Sequence, residues 1–166
     1  PSAFSTQYEF DALGRLIQQK DALDGITRWQ YNYRNQITHT TDARHNTSIN
    51  HYNSFGNLTQ VVDPLGGKTR YQWNAADKVT QVTNALGYTQ RFNYNELAQL
   101  ENYTNELNQQ WNFVYNTMGQ VETVRQPQAQ TNIDYSYDGR GNTILARYEH
   151  NGQRTTDAWQ YDQVGR

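Results

Sequence analysis

One short phrase returns along this chain at a fixed interval. An aromatic residue followed by Asp or Asn marks it at Phe10, Tyr31, Tyr52, Trp73, Tyr94 and Tyr115, each 21 residues after the last. Two more anchors, Tyr137 and Tyr161, follow at steps of 22 and 24, so small insertions enter late. Two residues ahead of most anchors stands a second aromatic: Tyr8, Trp29, Tyr71, Phe92, Phe113, Tyr135 and Trp159, with Asn50 the exception. A period near 20 residues constrains the fold more than any other feature, because each unit must bury itself against copies of itself.

Each unit holds two turn signals. The first follows the anchor as Asp/Asn-x-x-Gly: Asp11 to Gly14, Asn53 to Gly56, Asn116 to Gly119, Asp138 to Gly141 and Asp162 to Gly165. Asp or Asn in the first place with Gly in the fourth is type I turn chemistry. Asn35 and Asp77 fill the Gly slot in two copies, and both residue types visit left-handed backbone. Ala98 suits that slot less well. The second signal lies ten residues on, clearest in Asp63-Pro64-Leu65-Gly66 and Asn84-Ala85-Leu86-Gly87, looser at 21–24 and 105–108. Pro64 and Pro127 both take its second place, 63 residues or three whole repeats apart.

Between the turns the residues alternate. In 69–74, Tyr71 and Trp73 share one face of a strand while Arg70 and Gln72 share the other. The companion strand carries an apolar column at Leu16, Ile37, Leu58, Val79, Leu100 and Val121. The expectation is an all-β fold: tandem β-hairpin repeats of about 21 residues forming a curved antiparallel ribbon. The array covers 1–166 as one domain of about eight copies, the last incomplete. A lone hairpin is marginal in water, so neighbouring hairpins must hold each other.

Composition sets what such a ribbon can do. Only 35% of residues are apolar, which predicts a thin core, yet 13 Tyr, 5 Phe and 4 Trp argue against disorder. A net charge of -2 gives no basic footprint for nucleic acid. With no Cys there is no disulfide, thiolate metal site or cysteine nucleophile. No apolar run reaches membrane-spanning length. The chain opens on Pro1 and stops inside the phrase, so it reads as a fragment of a longer protein.

Candidate chemistry is sparse. His39, His45 and His51 stand six apart near Asp42, and His150 stands alone; they read as surface and strand histidines rather than as converging metal ligands. Asp21, Asp24, Asp42 and Asp63 read as turn-capping carboxylates, because no calcium-loop pattern surrounds them. No G-x-S-x-G elbow, phosphate loop or HExxH occurs. The aromatic columns could stack sugars, but regular spacing beside turns favours a ladder that holds the sheet. No catalytic, cofactor-binding or metal residue is therefore expected. The residues singled out are structural: Phe10, Asp11, Gly14, Arg15, Tyr31, Tyr52, Asn53, Gly56, Asp63, Pro64, Gly66, Trp73, Gly87, Tyr94, Tyr115, Gly119, Tyr137, Asp138, Gly141, Tyr161, Asp162 and Gly165.

The phrase Tyr-Asp-x-x-Gly-Arg/Asn-Leu, with Asp-Pro-x-Gly downstream, resembles the YD repeat of Rhs proteins, shared by insecticidal toxin-complex proteins and teneurins. The copies YNYRNQI, WNAADKV and YNELAQL depart from it by lacking Gly. The resemblance implies a strip of hairpins that winds into a spiral β-shell. In bacterial relatives that shell encloses a C-terminal toxin domain until delivery; in teneurins it serves adhesion. The self-cleaving core that follows the repeats in Rhs proteins has no match here, since 63–67 reads as an ordinary turn. The implied role is a wall segment of a shell for toxin delivery to competitor or host cells, secreted or cell-surface delivered as part of a larger protein. Its partners would be the rest of the shell and the enclosed toxin. The alternative is a carbohydrate- or receptor-binding adhesion module. Strand edges near Tyr8 and Tyr161, few charges and exposed aromatics further predict self-association, edge to edge or face to face.

Overall fold

The structure, a computed structural model, describes residues 5–162; Pro1 and Gly165 lie outside the described residues. Among the described residues fifteen antiparallel strands follow one another in chain order. They are β1 (Gln7–Phe10), β2 (Leu16–Lys20), β3 (Ile26–Tyr31), β4 (Ile37–Thr41), β5 (Thr47–Tyr52), β6 (Leu58–Val62), β7 (Lys68–Trp73) and β8 (Val79–Thr83). Then come β9 (Thr89–Tyr94), β10 (Leu100–Thr104), β11 (Gln110–Tyr115), β12 (Val121–Gln126), β13 (Thr131–Tyr137), β14 (Thr143–His150) and β15 (Gln153–Ala158). The fold is all-β and built of tandem hairpins. It divides into two compact units: the first runs to Asp77 and adds Val82–Tyr88, the second takes Lys78–Gln81 and Thr89 onward.

Within each unit the hairpins are alike, because the same residues recur at the same places. β7 buries one side of Thr69, Tyr71 and Trp73 and leaves Lys68, Arg70 and Gln72 exposed on the other face. Every anchor from Phe10 to Tyr137 ends its strand. It pairs with the residue that opens the next: Phe10 with Leu16, Tyr31 with Ile37, Tyr52 with Leu58, Tyr94 with Leu100, Tyr115 with Val121, Tyr137 with Thr143. One residue earlier the register slips, leaving Ile17, Thr38, Thr59, Glu101, Glu122 and Ile144 as the extra residue. A β-bulge thus recurs beside each anchor, where it turns the anchor's ring back along the sheet.

The core is thin, as the composition predicts. Among the described residues only Ala146 and Thr123 are buried, and no large side chain is fully buried. Most aromatics are half-buried on a single-layer sheet.

Two late connections differ from the expected register. Pro127 opens a 3-10 turn, Pro127–Ala129, and the left-handed residue is Gln130, one place later than in the turn that holds Pro64. Gln126 stands where the other turns have Asp or Asn and makes no side-chain cap, so the connection gains one residue and accounts for the 22-residue step. The 24-residue step comes from a longer hairpin. β14 and β15 pair from Leu145 with Ala158 to His150 with Gln153 around a two-residue Asn151-Gly152 turn with both φ positive, at 49° and 77°. The regular ladder ends at Ala158, short of Tyr161, so the outer strand edge belongs to Gln153–Ala158. Trp159 and Tyr161 continue beside β14 through single bonds, N–H to the Ile144 carbonyl and hydroxyl to the Thr143 carbonyl.

Candidate functional site

The repeated turn is the smallest element of the site. Its opening Asp or Asn places one side-chain oxygen against two backbone N–H groups, those two and four residues ahead. Asp11 accepts from Leu13 at 2.9 Å and Arg15 at 3.0 Å, Asn53 from Phe55 at 3.0 Å and Asn57 at 2.9 Å, and Asp138 from Arg140 at 2.9 Å and Asn142 at 2.8 Å. Asp63 does the same for Leu65 and Gly67, both at 2.8 Å. The closing residue has a left-handed backbone, with φ of 77° at Gly14, 98° at Gly56, 85° at Gly66, 87° at Gly87, 80° at Gly119 and 88° at Gly141. Copies without Gly close in the same way. Asn35, Asp77 and Ala98 adopt φ of 62°, 55° and 59°, and their N–H groups reach the turn's first carbonyl at 3.1, 3.2 and 2.9 Å.

Above each turn that follows an anchor, the next anchor reaches back. The Tyr31 hydroxyl donates to the Leu16 carbonyl at 2.7 Å, Tyr52 to Ile37 at 2.9 Å, and the Trp73 indole N–H to Leu58 at 2.7 Å. Tyr94 reaches Val79 at 2.8 Å, Tyr115 Leu100 at 2.9 Å and Tyr137 Val121 at 2.6 Å. The acceptor is always the strand-opening residue of the preceding hairpin. Each ring therefore lies over its neighbour's bulge and caps a carbonyl there, which covers one face without a second layer. Asn50, the break in the second aromatic column, sends its amide to the same Ile37 carbonyl as Tyr52. Burial pushes the hydroxyl pKa values of Tyr94, Tyr115 and Tyr137 up.

The residue after the left-handed slot forms a second link. Arg15 donates to the Asn32 carbonyl at 3.1 Å and the Asn35 side chain at 3.0 Å, while pairing with Asp11 at 2.6 Å and lying 4.8 Å from the Tyr31 ring centre. Gln36 reaches the Gly56 carbonyl at 2.7 Å, Asn57 the Asp77 carboxylate at 2.7 Å, and Gln120 the Gly141 carbonyl at 3.1 Å. Arg34 adds bonds to the Ser54 and Phe55 carbonyls. Turns on the anchor side are thus stapled to the next turn. On the far side the equivalent place holds Gly25, Asn46, Gly67, Tyr88 and Gln109.

Electrostatics follow the turns. Asp11 has its carboxyl pKa lowered chiefly by the Arg15 backbone N–H, then by the Arg15 side chain. Asp42 and Asp138 are lowered by the Asn46 and Asn142 side-chain amides and then by those residues' backbone N–H groups. His39 lies mid-β4 beside Thr38, His45 fills a left-handed turn slot at φ 67°, and His51 lies in β5. His150 bonds Thr131 at 2.8 Å. Among the described residues no three His, Cys, Asp or Glu side chains are grouped to hold a metal ion. Shallow clefts open between a turn and the following anchor, one lined by Asn53, Phe55, Asn57, Trp73, Asn74 and Asp77. Phe92, Tyr103 and Trp111 stack across β9, β10 and β11 with ring centres 5.2 and 5.4 Å apart.

The sequence reading placed the anchors and turns but missed their links. The signal was present: every anchor after Phe10 is Tyr or Trp, the aromatics with a donor at the tip. The Asn151-Gly152 pair, a strong hairpin signal, was also missed. Tyr161 reaches back like the other anchors, whereas the turn from Asp162 to Gly165 runs beyond the described residues.

The family model for the RHS Repeat matches residues 5–47 and 52–89. Over those two segments the sequence is similar to RHS repeats. No curated protein sequence matches it. Among solved structures, the TcdB2-TccC3-Cdc42 crystal structure is similar with a TM-score of 0.77 at 14% identity, over 96% of this chain and 10% of that one. TcdB2-TccC3 without its hypervariable C-terminal region gives 0.76 at 15% identity, over 98% and 10%. The Photorhabdus luminescens Tc holotoxin pore, with a point variant of TccC3, gives 0.74 at 15% identity, over 93% and 9%. The chain shares their fold and spans about a tenth of their length. Among the described residues no helix is long and apolar enough to cross a membrane.

Proposed function

We propose that this chain is one stretch of wall in an Rhs-type shell that encloses a toxin domain and carries it, as part of a larger secreted protein, to a competitor or host cell. The array acts as one non-enzymatic scaffold, and its partners are the rest of the shell and the enclosed domain. The observation that carries this reading is the single-layer sheet whose anchors each cap a carbonyl of the preceding hairpin. A wall must be thin, continuous along its length and independent of a packed interior, and these links supply that. The RHS-repeat match and the fold shared with TcdB2-TccC3 chains support it.

The test uses the longer protein that contains this segment. Limited proteolysis should leave the enclosed domain intact in the parent and cleave it rapidly when Tyr52→Ala and Trp73→Ala open the wall. Equal protection in both would remove the enclosing role. The stacked Phe92, Tyr103 and Trp111 favour one second reading, a sugar-binding face. Glycan binding lost on Tyr103→Ala would establish it.

A further inference from the structure

Three asparagines take left-handed backbone: Asn35 at φ 62°, Asn108 at 60° and Asn151 at 49°. Gln36 and Gln109 follow the first two, and each N–H is held by its turn's opening residue, at 3.1 Å by Asn32 Oδ1 and at 2.9 Å by Asn105 Oδ1. Gly25, after the left-handed Asp24, is held in the same way by Asp21 at 2.8 Å. Asn151 differs. Gly152 follows it in the sequence's one Asn-Gly pair, and among the described residues no acceptor meets the Gly152 N–H. The Asn151 amide is engaged at one end only: Nδ2 lies 3.0 Å from His150 Nε2, while Oδ1 meets no donor among the described residues. A relay fixes that contact. Thr131 Oγ1 donates to the Ala129 carbonyl at 3.1 Å, so His150 Nδ1 donates to Thr131 at 2.8 Å and Nε2 is left to accept from the amide.

We infer that Asn151-Gly152 is a self-modification site, where the asparagine converts to aspartate and isoaspartate through a cyclic imide. The Gly152 nitrogen gives its proton to water and bonds to Asn151 Cγ. The Cγ–Nδ2 bond breaks, and Nδ2 takes a proton from water and leaves as ammonia. Water then opens the ring at either carbonyl, which gives an α-linked or a β-linked acid. The step needs an unoccupied backbone nitrogen, no side chain beside it and an open amide carbonyl, and these meet at this turn. The hairpin also opens readily there, because its outer strand β15 is exposed along its whole length. Conversion rewires the relay. A carboxylate at 151 only accepts, so His150 Nε2 must carry a proton to meet it. Moving the Nδ1 proton there turns the Thr131 hydroxyl toward the ring and releases the Ala129 carbonyl. In the β-linked product the main chain is also one carbon longer, which shifts the His150–Gln153 pair that closes the two-residue turn. This site does not depend on the proposed wall function.

Incubation of the 166-residue chain at mildly alkaline pH in heavy-oxygen water, read by peptide mass spectrometry, tests it. The peptide holding Asn151 should gain a solvent oxygen and split into aspartate and isoaspartate forms, while Asn35 and Asn108 stay unchanged. Asn151→Gly should keep the fold and give no product, since Gly-Gly suits both positive φ values of the turn. Gln109→Gly makes a second Asn-Gly pair where other far-side turns already hold Gly25 and Gly67, with the N–H still held by Asn105. That pair should convert more than about tenfold slower than Asn151. Nitrogen NMR should place the His150 proton on Nδ1 in the wild type and show a proton on Nε2 in Asn151→Asp. An intact Asn151, aspartate without isoaspartate, a Gln109→Gly pair as fast as Asn151, or an unchanged His150 in Asn151→Asp would each overturn the inference.

Discussion

Anchor-side turns and far-side turns are one turn in two settings. Both open on an Asp or Asn whose oxygen holds two N–H groups, and both close on a left-handed residue. They differ at the residue just past that closing position. On the anchor side it is a long donor such as Arg15 or Gln36, which spans to the next turn, and a Tyr or Trp tip lands on the strand just beyond. On the far side the same place holds Gly25, Asn46, Gly67, Tyr88 or Gln109, and a Cβ at Gly25 or Gly67 would first meet the turn's own Asp21 or Asp63 carboxylate. Far-side turns are joined by scattered bonds, Gln90 to Glu106 and the Gln110 N–H to Gln128. Turn shape is thus local, whereas the aromatic tip bonds between hairpins, repeated at every anchor, lie on one side.

The sharpest way to break this comparison is to truncate one residue on each side. Tyr52→Ala removes a half-buried ring and its bond to the Ile37 carbonyl, and should cost about 2–3 kcal/mol, below the range for fully buried aromatics. Leu65→Ala on the far side should cost under about 0.5 kcal/mol in the monomer, because that leucine is exposed. Urea midpoints at low protein concentration measure both. Similar costs would mean that cohesion is not one-sided.

A smaller effect tests the turns themselves. Gly56→Val and Gly66→Val each force a β-branched residue to positive φ, at about 1–2 kcal/mol. The added carbon at Gly56 meets Arg34 and Gln36 at 3.5 Å, ordinary packing distance, while at Gly66 nothing lies within 4 Å. The two should therefore cost the same within a few tenths of a kcal/mol, and a much costlier Gly56→Val would mean that the staples are displaced.

These two settings also mark what was legible in the sequence. The 21-residue spacing, the Asp or Asn with Gly, and the alternation in 69–74 were enough for strands, turns and the paired anchor and apolar columns, since each depends on neighbours in sequence. Ala98 looked like a weak turn, yet the two bonds to the Asn95 oxygen hold it at φ 59°. Pro127 looked in register with Pro64, but without an Asp or Asn before it the turn shifts by one residue. The staples and the tip bonds join residues 15 to 21 apart across strands, and only the register of the folded sheet brings those together.

Acid should act on the turns through their carboxylates, whichever side they lie on. Asp11, Asp42 and Asp138 have folded pKa values below the ordinary 3.8, so they stabilise the fold above that value. That contribution is lost as pH falls below about 4 through the lower folded values. Urea midpoints should drop across this range, and Asp11→Asn, Asp42→Asn and Asp138→Asn together should flatten the drop. An unchanged acid limb would place the sensitive groups elsewhere.

The finest comparison uses two glutamines of equal chemistry. Gln36 is half-buried and donates across to the Gly56 carbonyl at 2.7 Å, whereas Gln72 is exposed on the polar face of β7. If staples rather than polarity join the hairpins, Gln36→Ala should cost about 0.5–1 kcal/mol, the net value of one hydrogen bond between neutral groups. Gln72→Lys should cost under about 0.5 kcal/mol, since a lysine on an exposed strand face keeps its charge in water. Urea midpoints with a shared slope read the two differences directly. A cost at Gln72 matching that at Gln36 would show that the polar face of the strands also carries cohesion, and that the staples alone do not join the hairpins.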